Sequence, residues 1–334
     1  MRRCASPEFP SCGISFKVNH MLAAPPVLHP SKPRPGLLGT PVVLTIAGFD
    51  PSSGAGITAD IKVIAAHECY GIACVTALTV QSTQGVRRVE PVDAKTIAET
   101  LSELGADFAI TAVHIGMLGS ESVVSAVADF LNQAGLPHVV LDPILKSSSG
   151  ADLLNLAGTR LMIERLFPLA ELITPNLDEA AALTGISLAD ANASAAGTSS
   201  AASLETMRQT ARQLHSLGAA NVVVTGGHLD KAIDLLSFTT SRGIEQEVFK
   251  AERQRSTSTH GTGCAFSTAL ACHLAHGRGY PEAVLLAKAY VSAAIANAQP
   301  LGHGTGPLHH LYRMNQQRRP SASVPEADHA RSRG

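Results

Sequence analysis

Short apolar runs alternate with amphipathic stretches through the middle of the chain, and polar, proline-rich stretches flank them. Val42-Val43-Leu44-Thr45-Ile46-Ala47 predicts a buried strand, ended by Gly48. Ile57 to Ala66 predicts a helix, and the β-branched content of Ile72 to Val80 predicts a second strand. A helix over Ala94 to Leu104 and a strand over Phe108 to Ile115 follow. The run His138-Val139-Val140-Leu141 predicts a strand that stops at Asp142-Pro143. Leu172-Ile173-Thr174 and Asn221-Val222-Val223-Val224-Thr225 predict two more, separated by a helix from about Leu204 to Leu217. Ile233 to Phe238 and Ile244 to Phe249, joined through Ser241-Arg242-Gly243, predict a hairpin on the sheet edge. Two helices close the pattern, over about 264–276 and 281–298, the second with Pro281 at its first position. Strands alternating with helices predict an α/β fold with a mostly parallel sheet covered on both faces.

The flanks carry no such periodicity. Residues 1–40, with Pro25-Pro26, Pro30, Pro33 and Pro35, are expected to form a disordered extension, and Met21 offers a second candidate start. Residues 314–334 are expected to form a disordered tail, which leaves 41–313 as one domain. Inside it, Ser187 to Ser203 is rich in Ala and Ser and predicts a mobile surface insertion between two helices.

Composition narrows the function. With 334 residues, 45% hydrophobic and 16% charged, the chain can bury a large core. A formal net charge of −1 gives no electrostatic case for nucleic acid or an anionic membrane surface. No apolar stretch reaches the roughly 20 residues of a membrane span, and no apolar run follows Arg2-Arg3, so a secretory signal is not expected. The six cysteines, Cys4, Cys12, Cys69, Cys74, Cys264 and Cys272, contain no C-x-x-C pair. Reduced thiols and a cytoplasmic setting are expected.

In sheets of this kind ligands bind at the carboxyl ends of the strands, and three groups of residues sit there. Gly48-Phe49-Asp50-Pro51-Ser52-Ser53-Gly54-Ala55-Gly56 is a strand–helix turn that is neither a Walker A loop nor G-x-G-x-x-G; it reads equally as an ordinary tight turn. Gly261-Thr262-Gly263-Cys264 opens an apolar helix, and its free N–H groups suit an anion such as a transferring phosphoryl group. The field there is expected to favour a Cys264 thiolate able to take a proton from an attacking hydroxyl; a structural cysteine is the alternative. Asp142 ends a strand, and Asn176 and Glu179 share a helix face after Pro175. Their oxygens suit Mg²⁺, while Asn176 with Glu179 also reads as a helix cap. His273 with His276, and His309-His310, lack a third ligand and read as packing or surface residues.

Seven motifs in order carry a resemblance. They are Ile46-Ala47-Gly48-x-Asp50-Pro51-Ser52-x-Gly54-Ala55-Gly56-Ile57-x-Ala59-Asp60, Thr76-Ala77-Leu78-x-x-Gln81-x-Thr83-x-Gly85-Val86, and Ile115-Gly116-Met117-Leu118. Asp142-Pro143, Ile173-Thr174-Pro175-Asn176-x-x-Glu179-Ala180, Gly226-Gly227-His228 and His260-Gly261-Thr262-Gly263-Cys264 complete the set. Over roughly 41 to 313 the chain resembles the hydroxymethylpyrimidine/phosphomethylpyrimidine kinases of thiamine biosynthesis, members of the ribokinase-like superfamily. The resemblance implies a three-layer α/β/α sandwich with a small β flap, a homodimer, and two successive ATP-dependent phosphorylations. The first is of 4-amino-5-hydroxymethyl-2-methylpyrimidine, the second of its monophosphate. It assigns Cys264 as base, with Gly261, Thr262 and Gly263 as the anion hole. Gln81 pairs with the aminopyrimidine edge, and Gly48, Ala55 and Met117 line that pocket. Asp142, Asn176 and Glu179 position Mg²⁺ and the ATP phosphates, Asp142 and Glu179 through water. Asp60, on the adjoining helix, takes a structural part.

Two departures fall on the ATP side. Thr225 stands where many relatives have Lys before the Gly-Gly-His run, and Ser148 stands where many have Lys or Thr. Lys146 is the candidate replacement cation. Pyridoxal or pyridoxine kinase of the same fold is the rival function, and a non-catalytic pyrimidine binder is the alternative of another class.

Overall fold

The computed structural model describes residues 39–147, 149–187, 199–227, 232–254 and 256–316. The expected N-terminal extension up to residue 38, Ser148, most of the Ala/Ser segment, His228 and the tail from 317 lie outside the described residues.

Nine strands form one sheet in the order β3-β2-β1-β4-β5-β6-β7-β8-β9. The strands are β1 (Val42–Phe49), β2 (Tyr70–Ser82), β3 (Gly85–Pro91), β4 (Ile110–Ile115), β5 (Val139–Leu141), β6 (Leu172–Ile173), β7 (Val222–Gly226), β8 (Ala232–Thr240) and β9 (Gly243–Ala251). The six from β2 to β7 in that spatial order pair in parallel, while β3 and the β8–β9 hairpin add antiparallel edges. The hairpin falls where its pattern predicts. β3 does not follow from pattern: Gly-Val-Arg-Arg-Val-Glu-Pro has no apolar run, and it is a strand because β2 runs past the sheet and offers it a free backbone edge. With the distal part of β2 it forms the small flap.

Neighbouring residues of a strand face opposite ways, so β1 feeds two cores. Leu44 and Ile46 enter one, beneath α2 (Ala94–Asp107), α3 (Glu121–Ala134), α4 (Leu156–Arg165), α5 (Leu177–Thr184) and α6 (Ser199–Ser216). Val43 enters the other, beneath α1 (Gly56–Ala66), α7 (Thr262–Ala275), α8 (Tyr280–Ala296) and the short α9 (Tyr312–Gln316). This is the three-layer sandwich. The Ala/Ser-rich stretch predicted as an insertion ends earlier than its composition suggested, since α6 already begins at Ser199.

Helix starts separate structure from site. Side chains cap α2 (Asp93), α3 (Ser120), α4 (Asn155) and α5 (Asn176), as isolated helix ends require. No side chain caps α1, α7 or α8, which start from Ala55, Gly261 and Gly279; α8 has Pro281 in its first turn, where an N–H needs no partner. The starts of α1 and α7 meet. Gly261 has φ +80°, and a Cβ there would stand 1.9 Å from Gly54 O, so only glycine permits the two loops to touch.

Near the carboxyl end of β7, Lys288 of α8 donates to Asp234 at 2.6 Å, both largely buried, and the other Asp234 oxygen accepts from Gly226 N at 3.1 Å. Removing one member leaves an unpaired buried charge, whereas removing both does not. Lys288→Met is therefore expected to lower unfolding stability in denaturant titration by about 3–5 kcal/mol, and the Asp234→Asn/Lys288→Met double variant to regain most of it. Equal losses in both variants would show that the ion pair does not anchor this strand end.

Candidate active site

Around the meeting point of α1 and α7 the chain collects three carboxylates. Asp142 follows β5, Glu179 lies in the first turn of α5, and Asp60 sits on α1. Asp142 is 5% exposed and Asp60 is sealed off. Asp60 accepts from Thr45 Oγ1 at 2.7 Å and from Thr268 Oγ1 at 2.9 Å, and His114 Nδ1 stands 3.4 Å away. The opposite ring atom, His114 Nε2, is 3.0 Å from Ser267 Oγ, which reaches Asp142 Oδ2 at 3.3 Å. A buried chain thus runs Asp60–His114–Ser267–Asp142. The Asp60 carboxylate beside His114 raises that imidazole's pKa even though burial opposes it.

Burial with too little positive charge leaves the other carboxyls reluctant to ionise. Burial first, then Asp142 beside it, pushes Glu179 up to about 8. Burial lifts Asp142 to about 6, against the pull of His114 and of hydrogen bonds from Ser267 and Cys264. Glu179 also closes a capping box: Asn176 N donates to Glu179 Oε2 at 2.9 Å, and Glu179 N to Asn176 Oδ1 at 2.8 Å. The capping reading of this pair is therefore realised. Two carboxylates short of positive charge form a donor set that fits a hard divalent cation. Among the described residues no group of three His, Cys, Asp or Glu could hold a metal alone, so the phosphates and water would supply the remaining ligands.

Cys264 is the third residue of α7, beside Asp142. The first-turn N–H groups of Gly263 and Cys264 lack intrahelical partners by helix geometry, and a Cβ built on Gly263 would stand 3.9 Å from Asp142 Oδ2. The expectation of a ready thiolate is corrected here. Burial, then Asp142, Asp60 and Glu179, push the Cys264 thiol well above its usual value. A helix end contributes about half a positive charge, which three nearby carboxyl groups outweigh. Among the described residues the four cysteines Cys69, Cys74, Cys264 and Cys272 are free thiols.

On the flap side, Met117 packs over Gly48, its sulfur 2.9 Å from where a Cβ there would stand. Ala55 lies at the start of α1, and Gln81 of β2 stands 3.2 Å from His260 Nε2. His260 in turn reaches Asp50 Oδ2 at 2.9 Å. The structure thus gathers Gly48, Ala55, Met117 and Gln81 on one side of the α1–α7 junction and Asp142 and Glu179 on the other. Thr225 N donates to Pro175 O at 2.9 Å, which ties β7 to the Asn176 turn without a cation. Lys146 is not turned toward the carboxylates: its ammonium is mostly exposed and lies 3.5 Å from Asp152. The sequence pattern marks Asp50 and His260 only as motif positions and assigns no role to His114 or Ser267. The signal was there in the polar residues of otherwise apolar stretches, His114 within Ile110–Ile115 and Ser267 within α7.

Such a sheet, with an uncapped helix start beside buried carboxylates at its carboxyl edge, defines a small-molecule kinase of the ribokinase-like class. The particular family follows from comparison: residues 50–309 match the phosphomethylpyrimidine kinase family, and the chain belongs to it. It is 37% identical over 270 residues to a hydroxymethylpyrimidine/phosphomethylpyrimidine kinase of Haemophilus influenzae, covering 80% of this chain and 96% of that one. A thiamine biosynthesis bifunctional protein of Geobacter sulfurreducens is 41% identical over 271 residues, 80% of this chain and 52% of that longer protein. Among solved structures, a Bacillus subtilis pyridoxal kinase in an ADP complex aligns with a TM-score of 0.70 at 32% identity, covering 83% of this chain and all of that one (100%). As a kinase the chain uses ATP. Among the described residues no helix is long and apolar enough to cross a membrane.

The Glu179 environment predicts a pH effect on the free protein. Its folded pKa, about 8, lies above the ordinary 4.5, so the native state holds that proton more tightly than the unfolded chain. Stability is therefore lost as pH rises between those values. Glu179→Gln keeps the cap oxygen but removes the charge. It is expected to raise Tm at a pH near 8 and to change it much less near pH 5; an equal effect at both would contradict the assignment.

Proposed function

We propose that this chain transfers the γ-phosphoryl group of ATP to the hydroxymethyl oxygen of 4-amino-5-hydroxymethyl-2-methylpyrimidine, and then phosphorylates the monophosphate to the diphosphate. The observation that carries the reading is the placement of Cys264 and Asp142 at the uncapped start of α7, beside the pocket of Gln81, Gly48, Ala55 and Met117. Gln81 pairs with the aminopyrimidine edge. Gly263 and Cys264 present free amides to the moving phosphoryl group, Gly261 lets them approach it, and Thr262, whose own N–H goes to Thr259 O at 3.3 Å, holds the turn before them.

Cys264 works as a relay. A neutral thiol cannot take a proton without giving one up, and its hydrogen-bond partner is Asp142. As the substrate oxygen attacks phosphorus, its proton passes to Sγ and the thiol proton passes to Asp142. A loose phosphoryl-transfer transition state needs little basicity at the nucleophile, so a relay suffices. Asp142 and Glu179 are the side chains that would hold Mg²⁺ through water, with Asn176 fixing the turn beside them. When bound, Mg²⁺ neutralises phosphate charge. The exposed Lys146–Asp152 pair is cheap to break, which leaves Lys146 able to swing toward ATP where Thr225 offers no cation. A cytoplasmic homodimer belongs to the same proposal.

The likeness to the Bacillus subtilis pyridoxal kinase favours a second reading, phosphorylation of a pyridoxine-type alcohol. Steady-state kinetics with both alcohols and with the pyrimidine monophosphate separate the two. The proposal expects turnover of the pyrimidine alcohol and its monophosphate; a protein inert toward the monophosphate would sink the two-step assignment. Cys264→Ala is expected to lower kcat by about 10²–10⁴-fold with little change in KM for ATP, and Cys264→Ser to recover part of it. An unchanged kcat in Cys264→Ala would remove Cys264 from the chemistry.

A further inference from the structure

Gln81 is the residue proposed to read the ring, and an amide can read in either sense: its oxygen accepts, its nitrogen donates, and the two ends have the same shape. What fixes the sense is therefore a question of the groups behind it. In the structure Gln81 Nε2 faces His260 Nε2 at 3.2 Å, and Gln81 Oε1 faces Thr79 Oγ1 at 3.2 Å.

The partners' own hydrogen bonds decide whether that arrangement can stand. Asp50 collects donors from every side. Its Oδ1 accepts from Ser52 N (2.8 Å) and Ser52 Oγ (2.7 Å), and its Oδ2 from Gly54 N (3.2 Å) and Ala55 N (3.0 Å). Burial raises its pKa, but hydrogen bonds from His260, Ser52 and Ala55 win, so Asp50 is a carboxylate. A carboxylate offers only acceptors. His260 Nε2, 2.9 Å from Asp50 Oδ2, must therefore carry a proton. With its one proton directed chiefly at Asp50, His260 Nε2 has no lone pair for a Gln81 N–H, so the Gln81 atom 3.2 Å away is the amide oxygen, which can share that proton. On the other side, the single Thr79 hydroxyl proton is committed to Phe49 O at 2.9 Å, so Thr79 Oγ1 meets Gln81 with lone pairs and calls for a donor.

We infer that His260 is a specificity-determining positioning residue: held by Asp50, it locks the Gln81 amide with Oε1 toward His260 and Nε2 toward Thr79. Every donor in the set then meets an acceptor. One Gln81 N–H and one Oε1 lone pair are left free, side by side and in fixed order. The ligand edge that matches is a ring nitrogen acceptor next to an amino donor, as in a 4-aminopyrimidine. A 4-oxo analogue presents the reverse order, N–H next to a carbonyl, and meets donor against donor and acceptor against acceptor. His260 can be held so close because its ring lies on Gly54, where a Cβ would stand 2.2 Å from His260 Cδ2.

The inference rests on the kinase reading above, and the test separates the two. The kcat/KM ratio for the 4-amino alcohol over its 4-oxo analogue is measured in the native protein, His260→Leu and His260→Gln. The native ratio is expected to reach about 10²-fold or more, as for a site whose buried polar groups would be left mismatched. In His260→Leu the amide is free to turn over, and the ratio is expected to fall about tenfold or further, mainly through KM for the alcohol. His260→Gln, which restores an N–H donor, should regain much of it. A ratio unchanged in His260→Leu overturns the inference while leaving the kinase reading intact. No turnover of the 4-amino alcohol by native protein overturns both. A measurement on the native chain needs no variant to fold: the histidine ¹⁵N spectrum should show His260 protonated at Nε2, and a His260 protonated only at Nδ1 overturns the locked amide.

Discussion

Three carboxyl groups, Asp60, Asp142 and Glu179, are packed around the start of one helix, and most of the site follows from the charge this concentrates. Ionised groups are costly to bury unless something opposite is near. The chain supplies one opposite partner inside, His114, between Asp60 and Ser267. It supplies a second, weaker one in the uncapped end of α7. The remainder is left unbalanced, which is why Glu179 and Asp142 hold protons more tightly than free carboxyls do. A site with this deficit favours a cationic partner, which is the place proposed above for Mg²⁺.

The same charge sets what Cys264 can do. A thiol at a helix start is usually pictured as a ready thiolate, yet here burial first, and then the neighbouring carboxyl groups, overturn the helix field. The thiol stays protonated and lies beside Asp142, a carboxyl group that can take its proton. Position and chemistry are joined at the Gly54–Gly261 contact. That contact brings the loop carrying Asp50 and Ala55 against the loop carrying His260 and Cys264. The pocket proposed to read the ring and the helix start proposed to face the phosphoryl group are thereby held together by backbone, not by flexible side chains.

Much of this is legible in the sequence itself. The apolar runs of β1, β2, β4 and β7 and the hairpin of β8 and β9 identified a mostly parallel sheet, because such strands are buried on both faces and must be apolar throughout. β3 was not legible, since it owes its form to the exposed edge of β2 and not to its own residues. α3 and α4 were not singled out by pattern either. In the site, Cys264, Asp142, Asn176 and Glu179 were marked by their places after strands and at helix starts, which are local signals. The partners that give them their properties were not. His114 meets Ser267 across 153 residues, and His260 meets Asp50 across 210. No local pattern encodes such a pairing. The expected thiolate differs for the same reason: the helix field is written in the nearby sequence, whereas the burial and the carboxylates that outweigh it come from three separate elements.

The ionisation of Cys264 tests the account most directly. Thiolate absorbance, followed as pH is raised in native protein and in Cys264→Ser, isolates this one group by difference. The account predicts that the Cys264 thiolate appears only above the ordinary thiol value of 9.0. A Cys264 thiolate already present near neutral pH in the ligand-free protein would contradict it, and would restore the resident-base mechanism in place of the relay to Asp142.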